Sequence, residues 1–134
     1  VAVIGIRGQG GGHIGGFGRI ENVQVAALCD IDQNLFADRV QEITERGGTE
    51  PRTYTDMRRL FENPDIDAVT FATPNHWHAL AAILTMRAGK DIYSEKPSSM
   101  TIAEGRSVLV SYNANTASSI EVPAHWRAAL EKYM

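Results

Sequence analysis

An α/β fold, a doubly wound parallel sheet with helices on both faces, is predicted by two features of the chain. Short apolar runs alternate with segments of helical periodicity almost throughout, and nearly every boundary between them falls on glycine, proline, asparagine or aspartate. Hydrophobic residues make up 43% and charged residues 22% of 134 positions, close to globular averages and enough for one well-packed domain.

The elements follow in order. Residues 1–6 form a buried strand that runs into a glycine-dense stretch, Gly5 to Gly18, where His13, Ile14 and Phe17 keep helical spacing and predict a short helix over 13–20. A second strand is expected over 23–29. An amphipathic helix over 35–46 follows, with Leu35, Val40 and Ile43 as its stripe and Gly47-Gly48 as its stop. Residues 52–54 read as a third strand and 56–62 as a short helix stopped at Asn63-Pro64. A fourth strand (67–72), a helix (77–88) closed by Gly89 and a fifth strand (91–94) complete the alternation. Thr101 and Glu104 form a capping-box pair that predicts a helix over 101–112. The domain is expected to span 1–117. Residues 118–134 read as a tail, with a sixth strand over 118–122 and a helix over 124–133. The chain opens at Val1 inside an apolar run, without an initiator Met, and is expected to be cut from a longer protein.

Several functional classes are disfavoured. A net charge of −3 gives no reason to expect nucleic acid or an anionic membrane as partner, and no apolar run is long enough to span a bilayer. Cys29, the single cysteine, excludes an internal disulfide and a thiolate metal cluster and suits a reducing compartment, so a cytoplasmic location is expected.

A strand that enters glycines and then a helix is the setting of a phosphate-binding loop. Small residues admit a pyrophosphate to the backbone, and the helix start offers free N–H groups and a positive dipole end. Gly5-Ile6-Arg7-Gly8-Gln9-Gly10 supplies the first and third glycines of the dinucleotide fingerprint, with Arg7 in place of the second. Gly10 to Gly15 fits the pattern in full but sits too far beyond the strand, and a glycine loop by itself is often only a tight turn. Asp30 stands at the end of the second strand, twenty positions after Gly10, where an acid accepts hydrogen bonds from the adenosine ribose and repels a 2′-phosphate. NAD is therefore expected over NADP, with Asp30 as the cause, Asp32 as a rival and Arg7 as a cation able to offset the repulsion.

Ala72-Thr73-Pro74-Asn75-His76-Trp77-His78, Ala88-Gly89-Lys90-Asp91 and Glu95-Lys96-Pro97 together closely resemble the Gfo/Idh/MocA (glucose–fructose oxidoreductase / inositol dehydrogenase) family. The resemblance covers about 1–112. It implies an N-terminal Rossmann domain for NAD(P), followed in the whole enzyme by a substrate domain, and hydride transfer to or from a sugar, polyol or related hydroxy compound. It places Thr73, Asn75 and His78 along the cofactor cleft, with Glu95 and Lys96 near the nicotinamide. Lys96 is then the catalytic residue, stabilising an alkoxide or relaying its proton. A homo-oligomer is expected of the complete protein, and no turnover of this chain alone. Two alternatives stay open: a glycosidase of the same family that oxidises its sugar transiently with bound NAD, which the lysine motif slightly disfavours, and a non-catalytic NAD-binding module. No metal is expected, because His76 and His78 have no third ligand nearby. Trp77 is expected to pack rather than stack on a ligand, and His125-Trp126-Arg127 to have no role unless the tail reaches the cleft.

Overall fold

The computed structural model describes residues 1–95 and 97–100, with the backbone of two further strands, Ser111–Asn113 and Ser118–Ile120. Strands β1 (Ala2–Ile4), β2 (Ala27–Cys29), β3 (Arg52–Tyr54), β4 (Ala68–Phe71) and β5 (Asp91–Ser94) form one parallel sheet in the order β3-β2-β1-β4-β5. Helices α1 (Gly8–Phe17), α2 (Phe36–Glu45), α3 (Met57–Phe61) and α4 (His78–Arg87) fill the connections. The α/β doubly wound class is as the alternation predicts.

Strand periodicity sorts the core into two layers. Ala2 and Ile4, Ala27 and Cys29, and Val69 and Phe71 share one face with Leu60, Phe61, Ala81 and Ala82 of α3 and α4. Val3 and Leu28 turn to the other face, against Ile14 of α1 and Ile43 of α2. Full burial of a side chain such as Phe71 or Leu28 is worth roughly 1.5–3 kcal/mol. Ala79, Ala81 and Ala82 keep the inner face of α4 small, which lets the helix lie close to the strands.

Helix α1 begins five residues before its expected start and ends at Phe17. Glycine's poor helix propensity argues for the later start. The early turns are nevertheless held on the sheet, because a side chain at Gly10 would collide with the Gly5 carbonyl oxygen. Strand β2 is shorter than expected, and Leu35 belongs to a 3-10 turn over Gln33–Leu35, capped by Asp32, that leads into α2. A second 3-10 turn, Asn75–Trp77, precedes α4.

At the far edge, Lys90 donates from Nζ to the Asn63 oxygen (2.7 Å) and the Ile66 oxygen (2.9 Å). It thereby ties the turn after α4 to the loop before β4, and Gly89 supplies the left-handed residue (φ +71°) that makes that turn.

The helix expected over 101–112 requires correction at its end. Ser111–Asn113 is a strand, β6, paired antiparallel with β7 (Ser118–Ile120) in a separate two-stranded sheet. Periodicity misleads here, because the run from Val108 to Tyr112 suits a short strand as well as a helical turn. The Thr101–Glu104 pair, the helix expected over 124–133 and His125-Trp126-Arg127 lie outside the described residues. The strand expected over 118–122 is present as β7, in the hairpin rather than in the parallel sheet.

Candidate cofactor cleft

Strand order reverses between β1 and β4, where the carboxyl ends of open α/β sheets leave a crevice. A cleft of about 940 Å³ opens there, walled by Gly5 and Arg7 after β1, Asp30 to Asp32 after β2, Asp56 and Arg58 after β3, and Thr73 and Trp77 after β4. A smaller hollow of about 310 Å³ lies between α1 and α2 around Ile14, Val25 and Arg46. It is at the opposite, amino end of the strands, away from every predicted site residue.

The loop after β1 is built by two glycines with separate duties. Gly5 has φ +78° and donates to the Cys29 oxygen at 2.8 Å, and a Cβ on it would sit 3.0 Å from the Ala72 carbonyl. Gly10 permits the close crossing of α1 over Gly5. These are the roles of the first and third fingerprint glycines. The alternative register, Gly10 to Gly15, lies wholly within α1. Arg7 is the N-cap of α1 in extended conformation and makes no side-chain cap, and the first turn carries no acid. The helix start is thus capped neither by its N-cap side chain nor by an acid of its own first turn. Ile6 is buried in the core, and Gln9 is exposed.

Asp30 clamps this loop. Its Oδ2 accepts from the Ile6 N–H (2.9 Å) and its Oδ1 from the Asp32 N–H (3.0 Å), so each oxygen retains a further lone pair. Asp32 caps the 3-10 turn through Asn34 and pairs with the Arg7 guanidinium at 2.6 Å. The Asn34 N–H and side-chain amide, and then Arg7, hold the Asp32 carboxyl below the usual range. Arg58 grips Asp56 with two nitrogens (2.6–3.0 Å) and pulls its pKa down to about 2. Both arginines of the cleft wall are thus engaged by carboxylates, and three aspartates face two arginines.

Thr73 and His78 divide the work at the end of β4. Among the described residues Thr73 Oγ1 is buried without a hydrogen-bond partner, and Thr73 lines the cleft. His78 is itself buried, with Nε2 2.8 Å from the Thr73 oxygen and Nδ1 2.6 Å from the Pro97 oxygen. It ties the β4 loop to the segment after β5 and is positioned as a brace, behind the cleft wall. Asn75 and His76 are exposed on the 3-10 turn. Trp77 is 40% exposed and walls the cleft with Leu80 and Leu84, so its ring is presented to the crevice rather than packed away. Glu95 lies beyond β5, with Oε1 3.5 Å from the Tyr93 hydroxyl and 3.6 Å from Nε2 of the buried His13, whose Nδ1 meets Thr70 Oγ1 at 2.8 Å. Lys96 lies outside the described residues.

The structure therefore brings Gly5, Arg7, Asp30 and Thr73 to one cleft and sets Ile6, Gly8, Gln9 and Gly10 in the turn that shapes it. It leaves Asn75, His78 and Glu95 outside the wall. Sequence reasoning missed Asp56, Arg58 and the apolar ridge Trp77, Leu80 and Leu84. The ridge has a legible signal in its helical spacing of three and four residues. The aspartate–arginine pair has none beyond an N-cap aspartate. Among the described residues no group of three or more His, Cys, Asp or Glu is placed to hold a metal, and no helix is long and apolar enough to cross a membrane.

A family model described as oxidoreductase family, NAD-binding Rossmann fold (GFO_IDH_MocA), matches residues 1–118. A glycosyl hydrolase family 109 protein of Shewanella pealeana is 34% identical over 108 residues, covering 78% of this chain and 24% of that protein. Among solved structures, the myo-inositol dehydrogenase of Lactobacillus casei, in complex with NAD(H) and myo-inositol, superposes with a TM-score of 0.72 at 26% identity. That match covers 79% of this chain and 30% of that one. A probable dehydrogenase from Thermotoga maritima gives 0.66 at 29%, with 79% and 30% covered. The chain thus spans about a quarter to a third of the length of these relatives.

Proposed function

Since the chain belongs to the Gfo/Idh/MocA oxidoreductase family and carries its NAD-binding Rossmann domain, we propose that it is the cofactor-holding part of an enzyme moving a hydride to or from a sugar or polyol. The observation that carries the reading is the fit of the cleft to a dinucleotide. A glycine-lined approach leads to a helix start without a side-chain cap, Asp30 keeps lone pairs for ribose hydroxyls, and Thr73 Oγ1 is buried and, among the described residues, unpartnered. When bound, the nicotinamide cofactor supplies the hydride or accepts it. The chain's own residues do the rest: the loop binds the pyrophosphate, Asp30 holds the ribose, and His78 fixes the two loops that flank the cleft.

Lys96 is proposed as the residue that steadies the substrate's developing alkoxide or passes on its proton, with Glu95 beside it. This rests on the Glu95-Lys96-Pro97 motif and on the place of Glu95 and Pro97 just beyond β5. In a form of the protein that turns over a polyol, Lys96→Ala is expected to lower kcat by ~10²- to 10⁴-fold while leaving the Kd for NAD nearly unchanged. Unchanged kcat with weakened NAD binding assigns the lysine to binding instead. The 134-residue chain is expected to bind NAD without turnover, and residues 1–117 are proposed as the domain.

A second reading, a glycosidase that oxidises and re-reduces its sugar on one bound NAD, is favoured by the 34% identity to a glycosyl hydrolase family 109 protein. Net NADH formation from an added polyol supports the dehydrogenase. Release of an aglycone with no net NADH supports the glycosidase.

A further inference from the structure

We propose that the Arg7–Asp32 ion pair is a latch that makes the cleft selective for NAD over NADP by holding the one loop arginine away from a 2′-phosphate. The inference rests on the nucleotide-binding reading above and moves selectivity from Asp30, where the sequence put it, to this pair.

Four observations support it. Asp30 is committed to the backbone: both carboxylate oxygens accept main-chain N–H groups, and these contacts fix the loop after β1 to the end of β2. Its role in the fold is thus independent of which cofactor binds. Arg7 stands where the fingerprint has a glycine, and its guanidinium is drawn sideways to Asp32 Oδ2 at 2.6 Å, across the mouth after β2. Asp32 in turn is held by the N–H and side-chain amide of Asn34, so the arginine is drawn toward an anchored carboxylate. The second arginine in the wall, Arg58, is gripped by Asp56.

The consequence follows from charge. A 2′-phosphate on the adenosine ribose enters a mouth bearing Asp30, Asp32 and Asp56, and Arg7 can meet it only by breaking its contact with Asp32. A free 2′-hydroxyl asks for no such exchange. The latch also keeps the long side chain clear of the pyrophosphate seat that a glycine would leave open. Removing the Asp32 charge while keeping its shape therefore does two things at once: it lowers the repulsion and releases a cation able to bind the phosphate.

The test is a double-mutant cycle on the 134-residue chain, with NAD and NADP titrated calorimetrically against wild type, Asp32→Asn, Arg7→Gln and the double variant. Side chains of both residues are partly or largely exposed (74% for Arg7, 33% for Asp32), so the substitutions leave the core intact, and circular dichroism checks this. Wild type is expected to prefer NAD. Asp32→Asn is expected to reduce that preference by about tenfold or more, chiefly by tightening NADP, and the same change made in the Arg7→Gln background is expected to have a much smaller effect. An Asp32→Asn preference within twofold of wild type overturns the latch, as does an equal loss with and without Arg7, which assigns the effect to bare charge. Wild type that binds neither cofactor overturns the nucleotide-binding reading itself, and the latch with it.

Discussion

Cys29 closes β2 with its thiol at the floor of the cleft, 3% exposed, and Asp30 and Asp56 lie nearby. Burial first, and then these two carboxylates, push the thiol from an ordinary 9.0 up to about 12. At pH 8 the thiolate fraction is then lower by about 10³-fold than for a free cysteine, so iodoacetamide is expected to modify folded protein about that much more slowly than protein in denaturant. The sign for stability follows. The folded state prefers the protonated thiol, so the contribution is intact below about pH 9 and is lost as pH rises toward 12. Equal labelling rates in the two states at pH 8 would show that the thiol is accessible and unperturbed. Legibility at this scale was uneven. Asp30 is legible as an acid at the right offset, yet its backbone clamp is not, because a carboxylate's partners depend on how two distant loops meet. Arg7 is legible as an anomaly in the fingerprint, and only the fold shows that Asp32 is its partner.

The glycines of α1 separate propensity from packing within one element. Gly12 is exposed with nothing within 4 Å of an added Cβ, whereas a Cβ at Gly10 would run into the Gly5 carbonyl oxygen. Gly12→Ala is therefore expected to stabilise the chain by ~0.5–1 kcal/mol, through reduced freedom of the unfolded chain and better helix propensity. Gly10→Ala is expected to cost at least ~2 kcal/mol and to weaken NAD binding, because α1 must lift from β1. Urea melts of the two variants measure both effects, and a Gly10→Ala variant as stable as wild type would contradict the close crossing. The same distinction explains what was readable. Helices α2 and α4, and strands β3 and β5, fall within a residue of their expected bounds because local propensity, turn signals and tertiary packing agree there. The first turns of α1 read as loop because their glycines serve the crossing at the expense of propensity. The strand at Ser111–Asn113 escaped because its pairing with Ser118–Ile120 is non-local, and periodicity over a few residues does not choose between strand and helix.

The doubly wound sheet determines which half of a dinucleotide these residues can hold. The walls of the cleft come from the carboxyl ends of β1, β2, β3 and β4, while no residue of β5 is among them. On the proposed reading Asp30 meets the ribose and the glycine turn with the start of α1 meets the pyrophosphate, so the ADP-ribose half is expected to supply most of the contacts. Alternating patterns made the layers legible, because each strand's period of two sends Val3 and Leu28 to one face and Ile4 and Cys29 to the other. Strand order was legible only through the resemblance, since no local pattern specifies that β1 lies between β2 and β4. A ligand bound across that reversal joins β1, β2 and β4 and stabilises the folded state alone. At a concentration about 100 times its Kd, NAD adds ~2.7 kcal/mol to the unfolding free energy. For a chain of 134 residues that corresponds to a rise in Tm of roughly 8–15 °C. ADP-ribose at a matched multiple of its own Kd is expected to give a similar rise, with a Kd within about tenfold of that for NAD, while nicotinamide mononucleotide is expected to bind far more weakly. The comparison needs only thermal melts over a concentration series. A nicotinamide mononucleotide affinity equal to that of ADP-ribose would move the main binding contacts to the β5 side, where Glu95 stands, and overturn the assignment of the described cleft to the adenosine end.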